Sequence, residues 1–377
     1  MAEYLTNTTD LTSVANAIRE KGGTTELLTY PDEFVTAIQA IQTGTELQII
    51  VTVTSGATVT ATNGSLSVSG TSVNGTCTLT VPEIGTWSVS ATLNGQTSDT
   101  KTVSITDSYA VTLSFVSSTL NDNEWSVIRS VSDAGQGANY WSIGDRKAVT
   151  LNGTVGHLSL SNYTTYAFII GFNHNASVEG ANRIHFQLAK TALSGGTDIC
   201  FCDSSYNSIV SATGYFSMNS SQTNSGGWAS SQMRKNICGT SLSSYSDTII
   251  AVIPEALRAV LKSVTKYTDN TANGGGSTAR YVTATTDYFF LLSEFEVFGR
   301  ISYGNTNEKN KQAQYAYYSA GNSKIKYKHN GTSTAADWWL RSPYASGSRH
   351  FVSVGTKGSV DVTSAYGSIG FAPGFCV

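Results

Sequence analysis

The closing stretch of the chain, residues 338–377, reads WWLRSPYASGSRHFVSVGTKGSVDVTSAYGSIGFAPGFCV. Two kinds of residue share it. Trp338, Trp339, Leu340, Pro343, Phe351, Val352, Val354, Phe371, Pro373 and Phe375 are bulky, stiff or apolar. Removing such surface from water is the main gain on folding, so they predict a buried frame. Between them stand Tyr344, Ser346, Ser348, Arg349, His350, Ser353, Lys357, Ser364, Tyr366 and Ser368. Tyr with Ser and Gly is the composition of adaptable binding surfaces, because Tyr offers broad amphipathic contact at low entropy cost. Tyr and Arg are also frequent interface anchors. The pattern predicts a fixed scaffold carrying permissive loops. Composition alone leaves open an ordinary sheet with a polar outer face.

Residues 117–377 around this stretch predict one large unit. SYSDTIIAVIP reads as a buried strand, and the segment from about Pro254 to Val264 as a helix with Leu257, Val260 and Leu261 on its apolar face. TTDYFFLLSEFEVFG reads as a central strand followed by a turn, and TDNTANGGGST as an exposed, mobile loop.

Residues 45–116 alternate with period two. LQIIVTVT, ATVTAT, SLSVSG, CTLTV, TWSVSATL, KTVSIT and YAVTLSF are separated by SG, NG and IG turns. That pattern predicts seven short strands in an antiparallel sandwich, with Trp87, Val89 and Ala91 inward and Ser88 and Ser90 outward.

Residues 1–44 predict two short helices. Leu11, Val14 and Ile18 mark the first, capped by Asp10 and ended at Lys21-Gly22-Gly23. Phe34, Val35, Ile38 and Ile41 mark the second, which starts near Pro31 and stops at Gly44. So little chain buries little surface alone. It needs the next domain, another protein or further copies of itself.

Composition narrows the function classes. Only 13% of the 377 residues are charged, the formal net charge is −3, and 40% are hydrophobic. No basic block is present, which argues against nucleic-acid binding. The first residues, MAEYLTNTTD, do not read as a secretory signal, and no apolar run is long enough for a membrane span. Five cysteines, Cys77, Cys200, Cys202, Cys238 and Cys376, are too few and scattered for a disulfide framework and suggest free thiols.

The catalytic motifs HExxH, paired CxxC, GxSxG, a phosphate loop and a dinucleotide fingerprint are all missing from the sequence. His157, His174, His185, His329 and His350 are dispersed along the chain. Cys200 and Cys202 face one side if on a strand, but no further metal ligand adjoins them. Glu294 and Glu296 could do acid/base work, against the simpler reading of a structural pair. Asp269 and Asn270 in the Gly-rich loop are a weak option for Ca²⁺. No catalytic residue, no resident metal and no other cofactor is expected.

Two resemblances extend these readings. LTSVANAIREKGGTTELLTYPDEFVTAIQAIQTG resembles a segment common in tail and baseplate-associated proteins of phages of Gram-positive gut bacteria. It implies attachment to a phage tail. Residues 45–116 resemble bacterial immunoglobulin-like modules, which implies a rigid spacer. The stretch 121–377 resembles C-type-lectin-fold domains of the formylglycine-generating-enzyme-like type. The matching motifs are WSIGDR (141–146), FQLA, GGWASSQMR (226–234), LRAVLKSVTKYTDN, YFFLLSEFEVFG, ADWWLRSP and GFAPGFCV. The resemblance extends to the variable proteins of diversity-generating retroelements, a family that includes the phage major tropism determinant.

That likeness implies a receptor-binding protein at a phage tail tip, with a variable segment at about 338–376. By position, the variable, ligand-contacting residues would be Tyr344, Ser346, Ser348, Arg349, His350, Ser353, Ser359, Ser364, Tyr366 and Ser368. Adenine-directed rewriting of an Asn-type codon yields Tyr, Ser, His or Arg, and does not yield Lys357. The redox or metal-binding cysteine pair of the wider superfamily is not recognisable, nor are the EPN, QPD and WND calcium motifs of sugar-binding lectins. The expected partners are a host bacterial surface receptor and phage tail or baseplate proteins, with homotrimers, no nucleic acid and no membrane insertion. The expected location is the virion, after synthesis in the host cytoplasm. A glycan-degrading tail enzyme and a bacterial surface adhesin are the alternatives.

Overall fold

The structure is a computed structural model that describes residues 8–22, 27–40, 46–207 and 214–377. Strand outweighs helix, 36% against 22%, so the protein is mostly β. It divides into two compact units, 1–115 and 116–377.

Two helices open the first unit, α1 (Thr8–Gly22) and α2 (Asp32–Ala40). α1 already includes Thr8, so Asp10 lies within the helix and not before it. The expected stops at Gly23 and Gly44, and Ile41 with them, fall outside the described residues. Ala15, Ile18 and Phe34 bury against one another, with Leu11, Leu28 and Ala37 packed beside them. Val14, Val35 and Ile38 do not join them and stay about half exposed, at 48%, 53% and 53%. One contact line between two short helices leaves the flanks of each apolar stripe uncovered.

Eight strands follow: β1 (Gln48–Thr52), β2 (Thr58–Asn63), β3 (Leu66–Thr71), β4 (Thr76–Thr80), β5 (Gly85–Leu93), β6 (Gln96–Thr97), β7 (Lys101–Ile105) and β8 (Tyr109–Thr112). One sheet has the order β4-β1-β8; the other has β3-β2-β5-β6, with β7 also paired to β5. Ile49, Val51, Cys77 and Leu79 from the first share one core with Val59, Ala61, Trp87, Val89 and Ala91 from the second. The alternation read from sequence is present: Trp87, Val89 and Ala91 are buried, and Ser88 and Ser90 less so. The purely antiparallel expectation fails at one place. β8 pairs with β1 in parallel, Ile49 opposite Tyr109, and β6 is an additional strand.

The longest described helix of the second unit is α3 (Trp125–Asp133), close to the unit's start. The unit's main sheet is antiparallel throughout. It is built from β9 (Arg146–Val155), β10 (Leu158–Phe172), β11 (Ile184–Lys190), β15 (Phe289–Phe290) and the last strand of the chain, β21 (Gly374–Cys376). β21 inserts between β15 and β11. Trp125 of α3 meets Phe186 and Phe375 edge-on at 5.6 and 6.2 Å. The Ser132 hydroxyl donates to the Val377 carbonyl. The start and the end of the unit therefore close against the same sheet.

Smaller sheets carry the rest: β12 (Ile199–Cys200) with β16 (Lys326–Lys328) and β17 (Gly331–Ala336); the hairpin β13 (Val264–Asp269) and β14 (Val282–Asp287); and β18 (Trp338–Pro343) with β19 (His350–Val354) and β20 (Val360–Ser364). Three sequence expectations are corrected here. Ile249–Val252, expected as strand, is a helical turn. The helix expected from Pro254 to Val264 is only Glu255–Arg258, and Val264 already begins β13. The YFFLLSEFEVFG run holds a two-residue strand and then the helix Glu294–Phe298. Ser293 caps that helix, and Glu296 reaches back to the Ser293 amide in a capping box. A short apolar run fits a buried helix as well as a buried strand, and burial on all sides erases the periodicity that separates them.

Candidate binding site

The frame of the closing segment is buried. Trp338, Trp339, Leu340, Phe351, Val352, Val354, Phe371 and Phe375 are all 0% exposed. Each indole has a partner for its N–H: Trp338 donates to the Lys324 carbonyl at 2.9 Å and Trp339 to the Phe216 carbonyl at 2.7 Å. Buried indoles without such partners would be costly.

Between β18 and β19 the chain leaves the frame as the loop 344–349. One buried side chain holds it. The Asn224 carboxamide nitrogen donates to the carbonyls of Tyr344, Gly347 and His350 at 3.1, 2.7 and 2.9 Å. Its oxygen accepts from the Asn273 amide at 2.9 Å, and its backbone N–H donates to Ser348. The Gly-rich loop after β13 is tied to the same assembly, since Gly276 N–H donates to the Ala345 carbonyl. That loop is largely exposed, as the sequence suggests, but it is pinned. The Asp269 carboxylate accepts from the Thr271 and Ala272 amides and from Asn305. The Asn270 oxygen accepts from the Ala229 amide. The two side chains weighed as Ca²⁺ ligands thus already make loop-closing bonds.

Three rings form the floor of the displayed loop. Tyr344 stands edge-on to Tyr303 at 5.9 Å and to His350 at 6.2 Å. Gly347 must lack a side chain, because a Cβ there would lie 2.7 Å from the Tyr344 ring. Around this floor Ser346 and Arg349 are exposed, and Tyr344, Ser348 and His350 are half-buried.

The other positions singled out in the sequence separate. Tyr366 is half-buried, and its carbonyl accepts from the Ser217 hydroxyl. Ser359 is exposed, but in the turn beyond Val354, at the far end of β19 from His350. Four residue steps along a strand put it roughly 14 Å away. Ser353, Ser364 and Ser368 are corrected: they are 1%, 8% and 0% exposed. Ser353 hydrogen-bonds Thr363, and Ser368 donates to Asp203 at 2.9 Å. The Ser364 hydroxyl is buried with no hydrogen-bond partner among the described residues. Composition and position in the segment placed these serines among the displayed residues; Ser353 instead lies in the buried part of β19 and Ser364 at the buried end of β20.

The two glutamates considered for acid/base work are also fully buried. Glu294 accepts the backbone N–H groups of Ser302, Tyr303 and Gly304. Glu296 takes a forked pair of bonds from Arg341, and a third bond from Lys266 at 2.9 Å. Burial alone would raise the Glu296 carboxyl, but the Arg341 guanidinium and the Lys266 ammonium outweigh it and hold it well below the usual range. Both carboxylates are thus committed to the core and do not line a cleft.

Two of the dispersed histidines meet in the same core. His174 stacks on Tyr315 at 3.7 Å, and His185 Nδ1 lies 3.1 Å from the Tyr315 hydroxyl. The Nε2 atoms of both are buried and make no hydrogen bond among the described residues. Burial pushes His174 down to about 3 and His185 well below its usual range, with Lys266 adding to both. His174, Glu179 and Glu296 come close enough to hold a metal ion. The Lys266 ammonium already bonds Glu179 at 2.5 Å, Glu296 and the Tyr315 hydroxyl at 2.8 Å. It fills the position of a cation there, so the donor set does not fit a metal. Cys200 and Cys202 are buried, and His329 Nδ1 accepts the Cys202 amide. The bond to Cys200 and burial together push the Cys202 thiol up, away from the thiolate a metal requires.

Sequence reasoning missed Asn224, Tyr303 and the Lys266–Glu296–Arg341 network. Asn224 sits in an ordinary polar stretch, SQTNSGG, and nothing local marks it.

Residues 207–377 match the family described as "Domain of unknown function (DUF6273)". Comparison with curated proteins and with solved structures gave no match.

Proposed function

We propose that this chain is the receptor-binding protein of a tailed bacteriophage. The helices α1 and α2 attach it to the tail and assemble it as a homotrimer. The eight-stranded module is an immunoglobulin-like spacer. The second unit is a C-type-lectin fold that presents a retroelement-diversified surface to a host cell-surface receptor. The observation that carries the reading is the division of labour in the closing segment. A fully buried frame surrounds a loop whose side chains, Tyr344, Ser346, Ser348, Arg349 and His350, contribute little to the core. Such positions can change without unfolding the protein, which is what a rewritable surface requires. Several copies per virion would multiply weak single contacts.

The test is adhesion. Fluorescently labelled full-length protein is mixed with a panel of Gram-positive gut bacteria. Arg349→Ala with Tyr344→Ala should abolish attachment while the melting temperature holds. Attachment that survives the double substitution, or none to any strain, sinks this reading. A near-copy of the closing coding segment beside a reverse-transcriptase gene would support diversification.

A further inference from the structure

A cavity of about 370 Å³ in the second unit is lined by His157, Gly214, Tyr215, Ser220, Gln232, Asn236 and Ile237. None of these belongs to the loop 344–349. We propose that it is a binding site for a neutral saccharide of one or two rings.

The walls decide the chemistry. Tyr215 is 48% exposed, and its ring packs on the His157 imidazole with centroids 3.7 Å apart. This gives an aromatic face open to solvent, against which the C–H face of a sugar ring can lie. The close fit requires Gly156, with φ +55°, in the β9–β10 turn; a Cβ there would meet the Tyr215 Cβ at 2.7 Å. Ile237, buried, adds a small apolar floor.

Polar groups complete the lining. The Asn236 carboxamide makes no hydrogen bond among the described residues. Gln232 donates to the Ser220 hydroxyl at 2.9 Å and keeps its oxygen for another partner. Side-chain amides offer two donors and an acceptor, so they can bind adjacent hydroxyls in pairs. The backbone below is fixed. Gln232 N–H donates to the Asn219 oxygen at 3.2 Å, and Asn219 N–H donates to the Ala365 carbonyl at 2.8 Å.

The lining excludes other ligand classes. It includes no Lys, Arg, Asp or Glu. A phosphate, a carboxylate or an ammonium would find no permanent counter-charge there. A wholly apolar ligand would strand two amides and a hydroxyl, each costing about 1–3 kcal/mol. A neutral polyol with one C–H-rich face satisfies both walls, and the volume lies within the usual span of small-ligand sites.

Saturation-transfer NMR on the full-length protein tests this, with D-glucose, D-galactose and N-acetyl-D-glucosamine as probes. At least one should receive saturation on its ring protons. Tyr215→Ala should abolish the transfer, or Asn236→Ala weaken binding at least tenfold, while Arg349→Ala leaves it unchanged. Asn236 is exposed, so it decides the matter if Tyr215→Ala fails to fold. Transfer to none of the three sugars, or binding unchanged in both cavity variants, overturns the proposal. The Arg349 control separates this outcome from a failure of the receptor-binding reading.

Discussion

Asn224 and Gly347 are joined by a 2.7 Å hydrogen bond across 123 residues of sequence. The donor is fully buried, and the acceptor sits at the tip of a solvent-facing loop. The same nitrogen serves Tyr344 and His350. One side chain thereby sets the shape of the displayed loop without touching what the loop would meet.

Replacing Asn224 should therefore separate shape from surface. Asn224→Ala removes the partner of the Gly347 carbonyl and of the Asn273 amide, and one of the two donors to each of the Tyr344 and His350 carbonyls. At about 1 kcal/mol for each net bond, the loss is about 2–4 kcal/mol. Denaturant unfolding of the full chain should register it. Amide exchange should rise most in residues 344–350 and 271–276. Equal protection in both proteins would show that the loop holds itself.

Surface and frame should respond in opposite ways. Ser346→Ala and Arg349→Ala should each change stability by no more than about 0.5 kcal/mol. Trp339→Ala, in the frame, should cost about 3–5 kcal/mol. Ser364→Ala removes a buried hydroxyl that has no partner among the described residues, so it should be neutral or stabilising. Thermal melts of the four variants check this together.

The Arg341–Glu296 pair should be intolerant of one-sided change. Glu296→Gln leaves the Arg341 guanidinium, 0% exposed, facing a neutral amide. Breaking a buried pair in this way costs about 3–5 kcal/mol. Replacing both partners by apolar residues should recover part of the loss. Urea midpoints of the single and double variants measure the difference.

The two buried imidazoles give the second unit a contribution to stability that acid removes. Both have folded-state pKa values below the ordinary 6.5, His174 at about 3. Below 6.5 the unfolded chain takes up protons that the folded chain refuses. The stability they contribute is complete above 6.5 and is lost as pH falls toward the folded values. The slope approaches about 1.4 kcal/mol per pH unit for each imidazole. Glu179 and Glu308, both raised to about 7 by burial, act in the opposite sense: their contributions are present below 4.5 and are lost as pH rises through the folded values. His174→Gln should flatten the stability profile between pH 6.5 and 4. An unchanged profile would mean that His174 is protonated in the fold.

The sequence by itself determined what depends on near neighbours and bulk. The alternation around Trp87, Val89 and Ala91 set an inner face. The aromatic residues of 338–377 had to be buried because no other placement removes that much apolar surface from water. The separation of this frame from a Tyr-, Ser- and Arg-bearing loop at 344–350 was likewise visible in composition. The tertiary structure decided what depends on remote partners. Ser353 and Ser364 fall at buried positions of β19 and β20, which packing sets and composition does not record. Glu294 and Glu296 belong to a helix, and Glu296 is spent on Arg341 and Lys266. Asn224 reaches His350 across 126 residues. Hydrogen bonds and ion pairs act over about 3 Å in space, whatever the distance along the chain. No local pattern of residues can record them.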